Sequence, residues 1–317
     1  SLASGFLGSA LTDILANAAG GSNRVYAVDS RGNDYPDNDG KPFLAGWPIK
    51  PNGAIQDTLP MIGPGQDPSI MKVDGETRVV ASATGSATIG VYGTDGSLSR
   101  GIQQSIPGAA STADGALPVG GINLFESASL GKLVPGQNPS VVKYGLGLPA
   151  VLNLLLVGQN LPYNHLIGAY DPVTGLSQPA FPRVTEDYQF LSSSTIANVT
   201  GNPTSNQVIA GTGLGLVNAY DGLTGANAPG FPKVTGGWLF SPAAISDDGR
   251  IAAFTREGYL FEWSRPDIPA CQSEWPGFRH DPQQSGNYDH DGTAPGPLRD
   301  AKPGASGVSF EATGDDG

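Results

Sequence analysis

Short apolar runs separated by glycine-rich turns recur along the whole chain. Residues 206–235 show the unit most clearly, with an apolar run at Val208–Ala210, a glycine-rich stretch at Gly211–Gly215 and a second run at Leu216–Tyr220. Short apolar runs bounded by glycine are typical of β-strands joined by tight turns. The glycine-rich stretch is followed by a strand and not by a helix, so we interpret it as a hairpin turn and not as a phosphate-binding loop.

The same pattern predicts hairpins elsewhere in the chain. The paired strands are predicted at 78–83 with 89–92, 150–158 with 166–170, and 250–255 with 259–263, and a last strand at 24–29. Each hairpin follows a further strand candidate, at 68–73, 139–144, 190–199 and 240–246. Short strands at even spacing predict an all-β fold.

Two pairs of matching segments reveal internal repeats. Residues 169–185 and 219–235 are identical at ten of 17 positions, and PGQDPSIMK at 64–72 matches PGQNPSVVK at 135–143. Repeats of about 50 to 70 residues with three or four strands each predict the blades of a β-propeller. We count four recognisable blades and a partial one at 23–50. Trp47, Phe181 and Phe231 each precede a proline at matching places and are predicted to be apolar plugs between units.

Several phrases resemble the bacterial secreted β-propellers of the quinoprotein-like and FG-GAP (VCBS) repeat type. They are VYAVD at 25–29 before GWP at 46–48, the Tyr-Asp-x-x-Thr-Gly…Phe-Pro phrases of the repeats, and EWPGFRHDPQQSGNY at 274–288. The resemblance implies a propeller over residues 23–292 and an extracellular or cell-surface location, with the periplasm as the alternative. It implies no activity, because such repeats serve many proteins.

The two ends of the chain differ from these repeats. Residues 293–317 resemble a linker and the first strand of a fibronectin type III-like sandwich domain. In the segment 1–22, Leu7, Leu11, Ile14 and Leu15 fall at helical spacing and predict a short helix near residues 9–18. Either sequence upstream of this chain completes the ring of blades, or the half blade at 23–50 completes a blade with the C-terminal strand.

Composition excludes several classes of protein. Acidic residues outnumber basic ones 29 to 17, which argues against a protein that binds a nucleic-acid backbone. No apolar run approaches 18 residues, so no transmembrane segment is expected. The single cysteine, Cys271, cannot form a disulfide within the chain; a buried thiol and a bridge to another chain are the two interpretations.

Calcium is the one metal that the resemblance suggests. FG-GAP repeats carry Asp-rich loops, and Ca²⁺ takes six to eight oxygen ligands from such a compact turn. The candidate ligands are Asp34, Asp37 and Asp39, with a second acidic stretch at 289–291. Neither stretch contains the full series of ligands, and a solvated acidic turn is the alternative for both.

No catalytic residues are predicted. The histidines are His165, expected in an exposed loop tip, His280 and His290, and the chain has no Gly-x-Ser-x-Gly motif. His280 and Asp281 would face opposite ways if they were adjacent in a strand.

We expect a non-catalytic structural or interaction module of a secreted or cell-surface multidomain bacterial protein. Its loops, including the insertions at 30–45 and 97–132, would contact a partner chain, a glycan or neighbouring copies. The alternative is an accessory propeller of a secreted hydrolase, a peptidase or a glycosidase, whose catalytic domain lies outside this chain.

Overall fold

The protein folds into antiparallel sheets in a computed structural model. The residues that the structure describes are 2–5, 13–17, 24–29, 43–51, 66–83, 86, 88–104, 121–123, 126–147, 165–187, 193–264 and 273–290. This described part is all-β, with five sheets that follow one another along the chain. It contains no helix that is long and apolar enough to cross a bilayer.

The first sheet is built by the N-terminal end of the chain. Its strands are β1 (Leu2–Gly5), β2 (Asp13–Asn17) and β3 (Val25–Asp29), paired in that order. Val25 also exchanges backbone hydrogen bonds with Ile49, which adds a fourth chain segment to the sheet. The segment 23–50, expected to pair with a C-terminal strand, is therefore paired instead with β2, which in turn pairs with β1.

The helix predicted near residues 9–18 is wrong, because β2 occupies much of that stretch. An isolated helix of about ten residues is marginal in water. The β3 backbone instead offers β2 a full antiparallel ladder, from Asp13 opposite Asp29 to Asn17 opposite Val25. Tertiary pairing thus overrides the helical spacing of the leucines.

The second and third sheets follow. The second has the strand order β4 (Ser69–Val73), β5 (Glu76–Ser82), β6 (Thr88–Tyr92) and β7 (Leu98–Gln103). The third consists of β8 (Gly121–Ile122), β9 (Ser129–Gly131), β10 (Ser140–Gly147), β11 (His165–Tyr170) and β12 (Arg183–Thr185). Its order is β12-β11-β10-β8, and β9 also pairs with β10. The hairpin predicted at 78–92 is confirmed.

The third sheet corrects three sequence-based expectations. β11 pairs with β10 and not with residues 150–158, which lie outside the described residues. The insertion predicted at 97–132 contains β7, β8 and β9. The matching segments 64–72 and 135–143 contribute strands at different positions in their sheets. β4 is the first strand of the second sheet, whereas β10 follows β9 in the chain and pairs with it.

The fourth and fifth sheets complete the series. The fourth has the order β13 (Thr195–Ala197), β14 (Gln207–Gly211), β15 (Leu216–Asp221) and β16 (Lys233–Val234), and β20 (Ser273–Trp275) pairs with the free side of β13. The fifth has β17 (Ala244–Ile245), β18 (Ile251–Phe254) and β19 (Leu260–Trp263). The turn predicted at 211–215 is confirmed, and a second turn at 246–249 joins β17 to β18.

The core lies between consecutive sheets. The first strands contact one another in succession: β1 with β4, β4 with β9, β9 with β13 and β13 with β17. Separate buried clusters fill the spaces between these sheets, and the largest joins the second, third and fourth. Among the described residues no buried cluster joins the fifth sheet to the first.

The repeated phrases form the same local structures. The Asp171 carboxylate accepts hydrogen bonds from the backbone nitrogens of Val173 and Thr174, and Asp221 repeats the turn one unit later. Of the three predicted plugs, Trp47 and Phe181 are buried, and Phe231 is half-buried against the core between the fourth and fifth sheets. All three precede cis prolines.

Two strands depend on a glycine under a folded-back tyrosine ring. A Cβ at Gly168 would lie 2.2 Å from the hydroxyl of Tyr170, and a Cβ at Gly90 would meet Tyr92 in the same way. The Tyr170 ring is fully buried, so neither it nor the strand can move aside cheaply.

We predict that Gly168→Ala lowers the free energy of unfolding by about 1–3 kcal/mol, the usual range for overpacking a core. Gly277→Ala is the matched control, because a Cβ there meets nothing within 4 Å. Urea unfolding followed by tryptophan fluorescence measures both. Equal midpoints for the two variants would contradict the packing described here.

Candidate functional site

One segment near the C-terminal end, residues 273–290, connects most of the sheets, and we name it the strap. Its β20 pairs with β13 of the fourth sheet, with Trp275 opposite Ile196. Pro276 accepts a hydrogen bond from the backbone nitrogen of Ile245 in the fifth sheet, at 2.8 Å. The strap therefore extends the fourth sheet through β20, and it is hydrogen-bonded to the fifth sheet through Pro276, the residue that follows β20.

The other end of the strap reaches the second sheet. Ile70 of β4 donates to the carbonyl of Gly286 and accepts from the nitrogen of Tyr288, both at 2.8 Å. In the third sheet, Lys132, the residue after β9, donates its backbone N–H to Glu274 at 3.1 Å. The strap is thus hydrogen-bonded to four of the five sheets.

Aromatic side chains fix the strap in the core. Trp275 is 1% exposed and belongs to the largest buried cluster, and its ring lies 5.0 Å from that of His280. Tyr288 packs on the same cluster and donates its hydroxyl to Glu274. Burial of a large aromatic ring is among the strongest contributions that one side chain makes to a core.

The strap is a series of turns and not a long strand. Arg279, His280 and Gln284 have φ values of 54°, 80° and 54°, in a region that side chains other than glycine rarely adopt. Such residues persist where surrounding contacts hold them, and they cluster at sites where the backbone is constrained.

This backbone brings a carboxylate and two imidazoles together. Asp281 Oδ2 lies 3.3 Å from His280 Nδ1 and 3.4 Å from His290 Nδ1, and the hydroxyl of Ser285 donates to the same oxygen. The sequence-based expectation that His280 and Asp281 face apart is wrong, because His280 lies in a left-handed turn and not in a strand.

Burial and hydrogen bonding shift the pKa values of His280 and Asp281. Burial lowers the pKa of His280, although Asp281 acts in the opposite direction. For Asp281, burial alone would raise the pKa, but hydrogen bonds from Ser285 and His280 outweigh it and lower the pKa overall. The folded protein therefore favours a neutral imidazole beside an ionised carboxylate.

A second buried group of charges lies behind the strap. Arg279 reaches to 3.9 Å from Asp67, and in the third sheet Lys143 lies 3.5 Å from Glu126 with both side chains fully buried. Burial lowers the pKa of Lys143 and of Arg279, while the neighbouring carboxylates act to raise both values. A buried pair of this kind mainly specifies how the strands fit together.

A cleft of about 810 Å³ lies between the strap and the turn after β17. His280, His290, Phe278, Asp247 and Gln284 are among its lining residues. The geometry does not form a nucleophile, because Ser285 donates to the carboxylate and an activated serine donates to the imidazole.

The predicted calcium ligands Asp34, Asp37 and Asp39 lie outside the described residues, as does Cys271. In the second acidic stretch, Asp289 accepts the backbone N–H of Lys72 at 2.5 Å. Within the part of the chain that the structure describes, no three His, Cys, Asp or Glu side chains form a group that could hold a metal.

His165 is not in an exposed loop tip, which corrects the sequence-based expectation. It is the first residue of β11 and is 4% exposed. Burial lowers its pKa, with Asp187 acting in the opposite direction.

Residues 274–288 carry a resemblance in the sequence, but nothing in the sequence indicates that they bond to four of the sheets. The proline and glycine in this segment predict a loop, and the segment has no alternation of apolar and polar residues that would predict a strand. The signal that was available is the density of aromatic residues, since Trp275 and Tyr288 stand in a stretch otherwise typical of an exposed turn.

Comparisons with known proteins show no family. No protein-family model and no curated protein matches the chain. Among solved structures, the Vibrio cholerae biofilm matrix protein Bap1 is 13% identical at a TM-score of 0.41, over 82% of this chain and 36% of that one. The BBS1N protein, crystallised in complex with ARL6DN, is 14% identical at a TM-score of 0.38, over 85% and 80%.

A third similar structure is BamB from Moraxella catarrhalis, 12% identical at a TM-score of 0.24 over 80% of this chain and 79% of that one. BBS1N and BamB are propeller-like proteins. TM-scores below 0.5 do not establish a shared topology, so these comparisons add no argument about fold or function.

Replacing the aromatic centre of the strap is expected to destabilise the whole molecule. Trp275→Ala should lower the free energy of unfolding by about 3–5 kcal/mol, as large-to-small changes in cores do. Phe278→Ala in the same strap is the control, since Phe278 is 40% exposed. Denaturant unfolding compares them, and similar losses would show that the strap is not anchored through Trp275.

We also predict that stability falls as pH falls from 7 to 5. Because the pKa of His280 is lowered by folding, the unfolded chain binds protons at a higher pH than the folded one, beginning near the ordinary value of about 6.5. The slope of the unfolding free energy with pH is ~1.4 kcal/mol per pH unit for each proton taken up on unfolding. His280→Gln should reduce this slope by up to that amount, because it removes one such proton.

Urea midpoints at several pH values measure that slope. Asp281 does not interfere above pH 5, since its pKa lies below the usual range and its contribution is lost only in stronger acid. His165→Gln is the comparison variant, because it should remove a separate share of the same slope. A His280→Gln profile parallel to the wild-type profile would refute the assignment.

Proposed function

We propose that the five sheets are the blades of a β-propeller of the FG-GAP type and that this propeller is a non-catalytic interaction module. The module would belong to a secreted or cell-surface multidomain protein. The all-β sheets, the contacts between successive first strands and the repeated turns support the propeller.

The strap is the observation that carries the proposed function. In a propeller the first strands surround a central channel. Here the strap bonds to the first strands β4, β13 and β17 and to the residue after β9, so in the proposed propeller it would lie across the channel, with the cleft of about 810 Å³ beside it. The proposed module would therefore use mainly the outer surface of the sheets and their loops for recognition.

The buried charges support the same interpretation. Arg279 is opposed by Asp67, and Lys143 by Glu126, so each cation has a carboxylate neighbour. The imidazoles of the strap are oriented by Asp281, and its serine is engaged with the carboxylate. These groups stabilise the strap, and they are not arranged as an acid, a base and a nucleophile.

The test is the composition of the intact assembly from the native source. Mass photometry of the purified protein, followed by mass spectrometry of every chain, should show other chains or further copies in fixed proportion. A lone species of 32 kDa would overturn the proposal. A hydrolytic domain in the same polypeptide, with no partner, would favour the accessory domain of a peptidase or glycosidase.

A further inference from the structure

The fifth sheet ends in an exposed edge. Within the described residues β19 pairs only with β18, whereas the third strand of each earlier sheet is followed by a fourth segment. These fourth segments are Ile49 beside β3, then β7, β12 and β16. A strand edge that lacks a neighbour presents backbone N–H and C=O groups to any extended chain.

The face beside this edge is apolar and open. Leu260 is 69% exposed and Phe254 is 42% exposed, and these two residues are paired across β18 and β19. Phe240 lies against Phe254 with a ring separation of 6.4 Å and is also partly exposed. Native proteins usually protect such edges with charge or proline, so an apolar open edge indicates a binding partner.

The opposite face of the same sheet is not available. Ile251, Ala253 and the half-buried Trp263 pack on the fourth sheet. The fifth sheet therefore packs on a neighbouring sheet through one face, as the earlier sheets do. It differs from them at its exposed edge and at its other face.

The earlier sheets show which chain fits a third strand of this kind. In the third sheet Leu166 lies opposite Val184, and in the fourth Leu216 lies opposite Val234. Both fourth strands have a basic residue, a valine and a threonine in sequence, at 183–185 and 233–235. Leu260 begins β19 as Leu216 begins β15, so its expected neighbour is a β-branched aliphatic residue.

Charge favours a basic partner from another molecule. The whole chain has a formal charge of −12, whereas Glu262 on β19 is already paired with Arg250 at 3.3 Å and adds little to the attraction of a basic partner. A second copy of this acidic chain would be repelled, whereas a basic strand would be attracted.

We propose that β19 accepts an extended strand of a different polypeptide, with a basic residue followed by a β-branched aliphatic residue and threonine. The strand adds to the fifth sheet by backbone pairing, and its aliphatic side chain lies beside Leu260. This inference rests on the proposed function, for which it names the surface and the chemistry of the partner.

The probes are two synthetic peptides, GFPKVTGG copied from residues 230–237 and the same composition in scrambled order. Binding to the full chain is measured by fluorescence anisotropy, and amide hydrogen exchange of Leu260–Trp263 locates the contact. The ordered peptide should bind and protect these amides. Leu260→Lys should weaken binding by about tenfold or more, because it removes the apolar contact and opposes the basic peptide.

Leu214→Lys is the matched control, since Leu214 is 60% exposed in the β14–β15 turn of the fourth sheet. It should leave binding unchanged, and both exposed sites tolerate lysine without loss of the fold. Equal binding of ordered and scrambled peptides, or equal affinity of the two variants, overturns the inference.

Two further outcomes would also overturn it. If those amides of Leu260–Trp263 that point away from β18 are already protected in the free chain, β19 is covered from within. If sedimentation shows self-association that Leu260→Lys abolishes, the occupant is a second copy. Failure of the peptides while other chains still co-purify from the native source would reject this edge and leave the proposed function standing.

Discussion

The structure depends on the hydrogen bonds between the strap and the first strands of the sheets. Apart from β20, each sheet contains strands close in sequence, and it is joined to the next sheet by packing and by scattered hydrogen bonds such as Ser69 Oγ to Ala128 and Tyr144 to Gly211. The strap is different, because residues 273–290 bond to Ile70, some 200 residues earlier, as well as to Ile196 and Ile245. A contact so distant in sequence costs more closure entropy than a local hairpin, so the burial of Trp275 and Tyr288 is needed to maintain it.

The same constraint explains where the unusual chemistry of the molecule lies. Three of the four left-handed residues other than glycine in the described part, the imidazoles of His280 and His290 and the Arg279–Asp67 pair belong to the strap or face it. Perturbed groups of this kind often mark catalytic sites. Here each is opposed or hydrogen-bonded by a neighbour in the protein, so the arrangement fixes the path of the strap. In the function proposed above, recognition would fall to the outer surface, where the fifth sheet differs most from the others.

The repeats show that similar sequences need not take the same place in a fold. The phrases at 169–185 and 219–235 form matching turns, because Asp171 and Asp221 each bond the backbone two and three residues ahead. The phrases at 64–72 and 135–143 lead into a first and a second strand, because β9 lies in front of β10. Local hydrogen bonds reproduce the first pair, whereas neighbouring strands decide the second.

The sequence by itself determined the all-β class, the hairpins at 78–92 and 250–263 and the glycine-rich turn at 211–215, because turn residues such as glycine act over a few residues. It did not determine the partners of strands. The helix predicted near residues 9–18 became β2, and His165 became the buried start of β11, once the neighbouring strands were in place. The contacts within the strap were determined by tertiary structure alone. Asp281 meets His290 only because the strap bends through left-handed residues, and no periodicity of the chain records such a bend.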